Sequence, residues 1–130
     1  MSDEQWLTFF RVCASVLGQG SAPVEQSASW CAWTTFNSLK ESVQYWSAGL
    51  PQEAELGPHG TTDGGTWGQP FSYQSLAHVI IPKEFYWESA AAPGFRHGTK
   101  RQDIEWLSRE LTNVGVQHRL TELVLEIKCY

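Results

Sequence analysis

The chain has 130 residues, of which 42% are hydrophobic and 18% are charged, and it carries a formal net charge of −5. Its length fits one domain over residues 1–130 with one core, and its apolar content, including seven Trp residues, excludes global disorder. The acidic balance argues against nucleic acid or an anionic membrane as the partner, because both select clustered Lys and Arg.

The N-terminal residues and the cysteines indicate a reducing compartment. Residues 2–5 carry acid where a secretion signal needs positive charge, and no stretch approaches the ~20 apolar residues that cross a bilayer. The three cysteines, Cys13, Cys31 and Cys129, are an odd number and form no Cys-x-x-Cys pair. We therefore expect a cytoplasmic protein with three free thiols.

Helical periodicity predicts the first element over residues 3–17. Ser2 and Gln5 form a capping box, and Gly18 ends the apolar pattern. The residues that recur at helical spacing between them are Trp6, Phe9, Phe10, Cys13, Val16 and Leu17. Residues 19–27, rich in Gly, Ser, Gln and Pro, are expected to form a connecting loop.

An aromatic stripe predicts a second helix over residues 30–41. Its members lie three apart: Trp30, Trp33, Phe36 and Leu39. A strand competes with this helix, because Trp, Thr and Phe also favour pleated surfaces and the pair at 34–35 is Thr-Thr. For residues 43–50 we favour a strand over a continuation of the helix.

Residues 51–69 are so dense in glycine and proline that they predict a long loop without regular structure across its length. Short β-type runs follow at residues 71–73, 78–81 and 84–88, and residues 90–94 are expected to form a turn or surface loop.

The C-terminal third predicts a helix and two strands. Thr99 and Gln102 form a second capping box, and Gly115 closes a helix whose stripe is Ile104, Leu107, Leu111 and Val114. The last residues alternate with a period of two, so Leu123, Leu125, Ile127 and Cys129 share the buried face of a strand. Residues 116–120 predict the strand before it. The element order indicates an α+β fold, an antiparallel sheet with helices packed on one face.

No residue pattern identifies a catalytic centre, a cofactor site or a metal site. The histidines lack the spacing of metal ligands, and His59 with Asp63 falls short of a complete ligand set. We expect His78 to lie half-buried in a strand, and His97 and His118 to be exposed. Cys31 is expected to pack as a small hydrophobe, and Gly-x-Ser-x-Gly is absent. The sequence therefore favours a protein that is not an enzyme.

The long loop carries the residues that best fit a partner-binding surface. They are Glu53, Glu55, His59, Asp63 and Trp67, joined by Tyr45 and Trp46 just before the loop. The acids would steer a basic protein partner, and the indole of Trp67 would anchor it. The competing interpretation is that Trp67 folds back onto the core and the acids are only solvated. The cluster at residues 85–87 is the next candidate.

In size, acidity, Trp content and lack of a catalytic signature, the chain resembles the small cytosolic immunity proteins that bacteria pair with polymorphic or contact-delivered toxins. The segment from Arg101 to Tyr130, which ends in Glu126-Ile127-Lys128-Cys129-Tyr130, also resembles the end of certain small bacterial proteins. The resemblance implies a protein that neutralises a cognate toxin by direct binding, with a basic toxin or enzyme domain as its partner.

Two other classes of function stay open at this point. One is a phage-encoded or host inhibitor that binds a nucleic-acid enzyme by acidic mimicry. The other is a small-molecule-binding or hydrolytic α+β domain with a Trp-lined pocket.

Overall fold

The computed structural model describes residues 1–91 and 93–130. Within them the helices are α1 (Asp3–Leu17), α2 (Phe36–Glu41) and α3 (Ile104–Asn113). The strands are β1 (Cys31–Thr35), β2 (Trp46–Ala48), β3 (Leu76–Pro82), β4 (Glu84–Ser89), β5 (Arg96–Arg101), β6 (Arg119–Leu120) and β7 (Val124–Lys128). Short 3-10 helices lie at Val24–Gln26, Glu53–Glu55 and Tyr73–Ser75. The loop predicted over residues 90–94 includes residue 92, which lies outside the described residues.

Five strands form an antiparallel sheet in the order β2-β1-β3-β7-β6, and β4 and β5 form a separate hairpin. The central strand β3 pairs with β1 and β7, so that Val79 lies opposite Trp33 on one side and Ile127 on the other. Helices α1 and α3 contact each other, and α3 also contacts β6 and β7. The predicted α+β fold is confirmed.

The core lies between the sheet and these two helices. Strand residues alternate between faces, and the apolar members of β1, β3 and β7 turn the same way. The fully buried side chains include Trp6, Phe9 and Phe10 of α1, Trp33, Val79 and Ile81 of the sheet, and Leu107 and Leu111 of α3. We call this side of the sheet the inner face and the opposite side the outer face.

The predicted first helix is confirmed in its bounds and its cap. The Ser2 amide donates to Gln5 Oε1 at 2.8 Å, and the Gln5 amide donates to Ser2 Oγ at 3.1 Å. At the other end Gly18 adopts φ 89°, a conformation that favours glycine, and its amide donates to the Ala14 carbonyl.

The predicted helix over residues 30–41 is wrong in its first half, where Cys31–Thr35 form β1. Cys31 and Trp33 alternate onto the inner face, and pairing with β2 and β3 satisfies the backbone, so tertiary context overrides the helical spacing. Helix α2 begins after Thr35, whose hydroxyl accepts from the Ser38 amide at 3.1 Å. The strand favoured within residues 43–50 is confirmed as β2.

The second predicted capping box is also wrong. Thr99 belongs to β5, and the buried Gln102 side chain instead bonds the backbone of Trp30 and Pro82. Asp103 caps α3, accepting from the Trp106 amide at 2.9 Å. An Asp at this position satisfies an otherwise free amide, and the positive end of the helix dipole stabilises its negative charge.

The structure corrects three strand predictions. The run at residues 71–73 forms no strand, since Tyr73–Ser75 form a 3-10 turn, whereas β3 contains the predicted run at 78–81 and begins earlier, at Leu76. The two C-terminal strands are shorter than predicted. The Val116 amide donates to the Leu111 carbonyl at 2.9 Å, which ties that residue to the end of α3 and leaves only Arg119–Leu120 as β6. In the last strand Leu125 and Ile127 are buried as predicted, but Leu123 lies before β7 and is 76% exposed.

Leu125→Ala should lower the free energy of unfolding by about 2–5 kcal/mol, because the side chain is completely buried and its removal leaves a cavity. Leu123→Ala is the matched control, since it deletes the same atoms from an exposed position and should change stability by about 0.5 kcal/mol or less. Urea denaturation measures both. Equal costs for the two variants would contradict the register of β7.

The three cysteines are free, and they differ in accessibility. Burial raises the pKa of the Cys13 and Cys31 thiols, so both stay protonated and unreactive at neutral pH. We predict that a thiol reagent modifies Cys129 in the folded protein and the other two only after unfolding. Mass spectrometry of the labelled protein counts the modified residues, and a disulfide or rapid labelling of all three would contradict the assignment.

Candidate functional site

The long loop packs beside α1, on the inner side of the sheet. Glu53 Oε1 lies 2.8 Å from Arg11 Nε, and both side chains are exposed. His59 Nδ1 lies 2.7 Å from Asp3 Oδ2, so the histidine pairs with α1. Within residues 1–91 and 93–130, no three His, Cys, Asp or Glu side chains gather as metal ligands do.

Glu55 stabilises the loop from within. Its carboxylate accepts from the Thr66 amide and hydroxyl at 2.8–2.9 Å and from the Gln52 amide at 2.9 Å. The bonds to Thr66 join two separate parts of the loop, and the bond from Gln52 closes the short turn at Glu53–Glu55. The carboxylate therefore stabilises a conformation that the glycine-rich backbone does not specify by itself. Glu55 therefore serves the loop's conformation, whereas Glu53 and Asp63 remain exposed.

Trp67 is buried, which corrects the expectation of an exposed anchor. Only 6% of the residue is exposed, and its ring stacks on Trp33 with centroids 3.8 Å apart and planes 8° from parallel. Its Nε1 donates to the Gly49 carbonyl at 3.1 Å. Phe10 and Phe71 meet the same ring edge-on. The competing interpretation, that Trp67 folds back to cover the core, is correct.

Tyr45 and Trp46 lie on opposite faces of the sheet. Trp46 packs against Trp33 and Phe71 on the inner face, with ring centroids 6.3 and 5.2 Å away. Tyr45, one residue earlier, turns to the outer face, as strand alternation requires. The structure therefore separates Tyr45 from the loop acids with which the sequence analysis had grouped it.

Tyr45 begins a chain of hydrogen bonds that crosses the outer face. Its hydroxyl lies 2.8 Å from His78 Nδ1 on β3, and His78 Nε2 lies 3.3 Å from Glu126 Oε2 on β7. Arg119 of β6 reaches Glu126 Oε1 at 3.4 Å. The His78 and Glu126 side chains are only 11% and 13% exposed, so these polar groups are largely shielded from water. We call these four residues the outer-face network.

The geometry determines which atoms carry protons. A carboxylate only accepts, so His78 Nε2 carries a proton toward Glu126, and in a neutral ring Nδ1 then accepts from the Tyr45 hydroxyl. Both ring nitrogens are thereby engaged, which leaves His78 without a free lone pair for a substrate. Burial, and next the neighbouring Tyr130, raise the pKa of Tyr45 to about 12, so its hydroxyl stays protonated at neutral pH.

The turn before β2 holds Tyr45 in position. The Gln44 carbonyl accepts from the Thr34 hydroxyl at 2.6 Å and from the Ser38 hydroxyl at 2.9 Å. Val43 adopts φ 53°, a left-handed conformation that is costly for a β-branched residue and persists only where surrounding contacts enforce it. The placement of Tyr45 is thus specified by several independent contacts.

The outer face is open to solvent around the network. Ser47, Lys128 and Tyr130 are exposed there, and Lys128 Nζ lies 4.7 Å from the centroid of the Tyr130 ring. The Tyr130 ring also approaches His78 edge-on at 6.2 Å. Aromatic and arginine side chains on an accessible face are the composition typical of protein interfaces.

Hairpin β4–β5 divides the aromatic cluster at residues 85–87. Phe85 is buried and stacks on Trp30, with ring centroids 5.9 Å apart. Tyr86 turns the other way and is 54% exposed, and its hydroxyl donates to Glu88. The Lys100 ammonium fastens the hairpin by donating to the carbonyls at positions 25 and 27.

Sequence reasoning identified Tyr45 but not its partners. His78 was expected only as a half-buried strand residue, and the structure places it on β3 with 8% exposure. Glu126 was placed on the polar face of the last strand by its period of two. The signal that these residues meet is the strand order, which brings β2, β3 and the β6–β7 pair into one sheet from distant parts of the sequence.

Comparison with known proteins yields no relative for this chain: no family model, no curated protein and no solved structure matches it. Among the residues that the structure describes, the helices are all too short or too polar to cross a membrane.

Trp67→Ala should lower the free energy of unfolding by about 3–5 kcal/mol, because the indole fills space between β1, α1 and the loop. Trp106→Ala is the matched control, since that indole is 42% exposed on α3, and it should cost about 1 kcal/mol or less. Urea denaturation compares them. A negligible cost for Trp67→Ala would restore this residue as a candidate surface anchor.

Proposed function

We propose that this chain is a protein-binding protein that neutralises a basic partner, in the manner of a bacterial immunity protein. The observation that carries the proposal is the outer-face network, which holds the aromatic ring of Tyr45 in one position on an accessible sheet face. A cytoplasmic location is part of the proposal, and the three free thiols are compatible with it.

Tyr45 has the properties of an interface anchor. Tyrosine contributes a large contact area with few rotatable bonds, and its hydroxyl adds a polar contact at the tip. Because His78 and the Gln44 turn already restrict this side chain, less conformational entropy is lost when a partner binds. Tyr130, whose ring approaches His78, and Arg119, at the other end of the network, are both exposed and enlarge the surface with the residue types that dominate binding hot spots.

The charge distribution favours a basic partner. Several exposed carboxylates form no ion pair among residues 1–91 and 93–130: Glu4, Glu41, Asp63, Glu88 and Glu122. Uncompensated surface charge of one sign accelerates encounter with a partner of the opposite sign without requiring contact at each acid. Asp63 and the other acids thus steer the approach, while the outer face makes the contact.

The packing of the tryptophan side chains does not support the alternative function, a small-molecule-binding or hydrolytic domain with a Trp-lined pocket. Trp33 and Trp67 stack directly on each other, and Trp46 lies against the same cluster. These rings fill one another's space, which is the arrangement of a core.

The proposal is tested by coexpressing the chain with the product of the neighbouring gene, since an immunity protein is encoded beside its toxin. We expect the neighbouring product to be toxic alone and harmless with this chain, and the two proteins to copurify. Calorimetry on the complex should show Tyr45→Ala weakening binding by about 30-fold, equivalent to ~2 kcal/mol.

Tyr86→Ala is the matched control, because it removes a tyrosine that is exposed on a different surface and should leave affinity unchanged. Tyr45→Phe separates the ring from the hydroxyl. Unchanged affinity for Tyr45→Ala, with the fold intact by circular dichroism, would remove the outer face from the interface. An association rate that does not fall with rising salt would contradict steering by the acids.

A further inference from the structure

Ser108 and His118 form a second polar constellation, which shares no side chain with the outer-face network although His118 directly precedes Arg119 in the sequence. Ser108 lies on α3, and His118 lies in the segment between α3 and β6. Ser108 Oγ is 2.6 Å from His118 Nε2, and His118 Nδ1 is 2.9 Å from the Val116 carbonyl oxygen. His118, expected to be exposed, is therefore held on both sides by hydrogen bonds.

The Val116 carbonyl determines the protonation of the ring. A carbonyl only accepts, so Nδ1 carries the proton, and in the neutral imidazole Nε2 is left to accept from the Ser108 hydroxyl. A hydroxyl bonded to a histidine, whose other nitrogen is oriented by a third group, is the arrangement that activates serine as a nucleophile.

The chain reversal after α3 creates this arrangement. Gly115 adopts φ 77°, which glycine accommodates without strain, and the Val116 amide donates back to Leu111. The Val116 side chain is buried, so the turn is fastened to the core and the next residues run back along the helix. This path returns His118 to the level of Ser108, ten residues earlier in the sequence.

Both side chains border an open cleft of about 690 Å³. Its other walls include Thr112, Val116, Gln117 and Leu120, and apart from His118 no titratable side chain of the described chain lines it. The backbone amides of Gln117 and His118 donate to no backbone carbonyl within residues 1–91 and 93–130. Free amides beside a nucleophile can stabilise an oxyanion.

We propose that Ser108 and His118 are the nucleophile and base of an esterase site that accepts small uncharged carboxylic esters. This activity is independent of the protein-binding function proposed above. Ser108 Oγ bonds to the ester carbonyl carbon while its proton passes to His118 Nε2. The carbon–oxygen bond to the alcohol then breaks, and the alcohol leaves with the proton from Nε2.

Water completes the reaction. A water molecule attacks the acyl-serine and gives its proton to His118 Nε2, and Ser108 Oγ recovers that proton as the carboxylic acid leaves. The uncharged lining of the cleft favours a neutral substrate, and Leu120, which is partly exposed, provides an apolar wall for a short acyl or alkyl group.

The test uses a fluorophosphonate, which phosphonylates activated serines, and 4-nitrophenyl acetate as a neutral ester. We expect the fluorophosphonate to label Ser108 in the folded, unmodified chain, with the site identified by peptide mass spectrometry, and to label it no longer in urea. Ser108→Ala should abolish both labelling and turnover, and His118→Gln should slow labelling by about 100-fold or more.

Ser75→Ala is the matched control, because the Ser75 hydroxyl donates to the Ser72 carbonyl and, unlike that of Ser108, forms no hydrogen bond with a histidine of the described residues. It should leave labelling and turnover unchanged. No labelling of Ser108 in the folded chain would overturn the proposal, and the Ser108–His118 bond would then only fasten the turn to α3. The labelling experiment uses the unmodified chain, so its outcome does not require that a variant folds. Turnover that persists in Ser108→Ala would assign the esterolysis to another group and would equally overturn it.

Discussion

The stacked indoles of Trp33 and Trp67 hold together three parts of this chain that are far apart in sequence. Trp33 belongs to β1, Trp67 to the glycine-rich loop, and Phe10 of α1 packs edge-on against the same stack. The bond from Trp67 Nε1 to the Gly49 carbonyl adds the end of β2. A loop of this composition has little tendency to order by itself, so its position depends on burying that large side chain together with the hydrogen bonds to Glu55.

This constraint decides which surfaces are left for function. With Trp67 committed to the core and Glu55 bonded within the loop, the inner side of the sheet is occupied by helices and loop. The outer face carries polar side chains from four strands or their ends, and their hydrogen bonds satisfy one another. Such a satisfied network can stay rigid near the surface, which is a property that both recognition and specificity use.

The two proposed sites depend on different features of the fold. Tyr45 is positioned by the turn between α2 and β2 and by the order of strands across the sheet. Ser108 and His118 are positioned by the reversal at the end of α3, which involves only ten residues. The protein-binding face and the reactive serine share no side chain, although the two sites are neighbours in the chain where His118 directly precedes Arg119.

The sequence alone determined the elements whose information is local. The capping box at Ser2, the helical stripe of α1 and the alternation of Leu125 and Ile127 each act over a few residues, and all three appear in the structure. Tertiary structure alone decided that Cys31–Thr35 form a strand, that Trp67 is buried, and that Tyr45 meets His78 and Glu126. Those outcomes depend on strand pairing and side-chain packing between segments that are distant in sequence. The energies of these contacts cannot be read from a local pattern of residues.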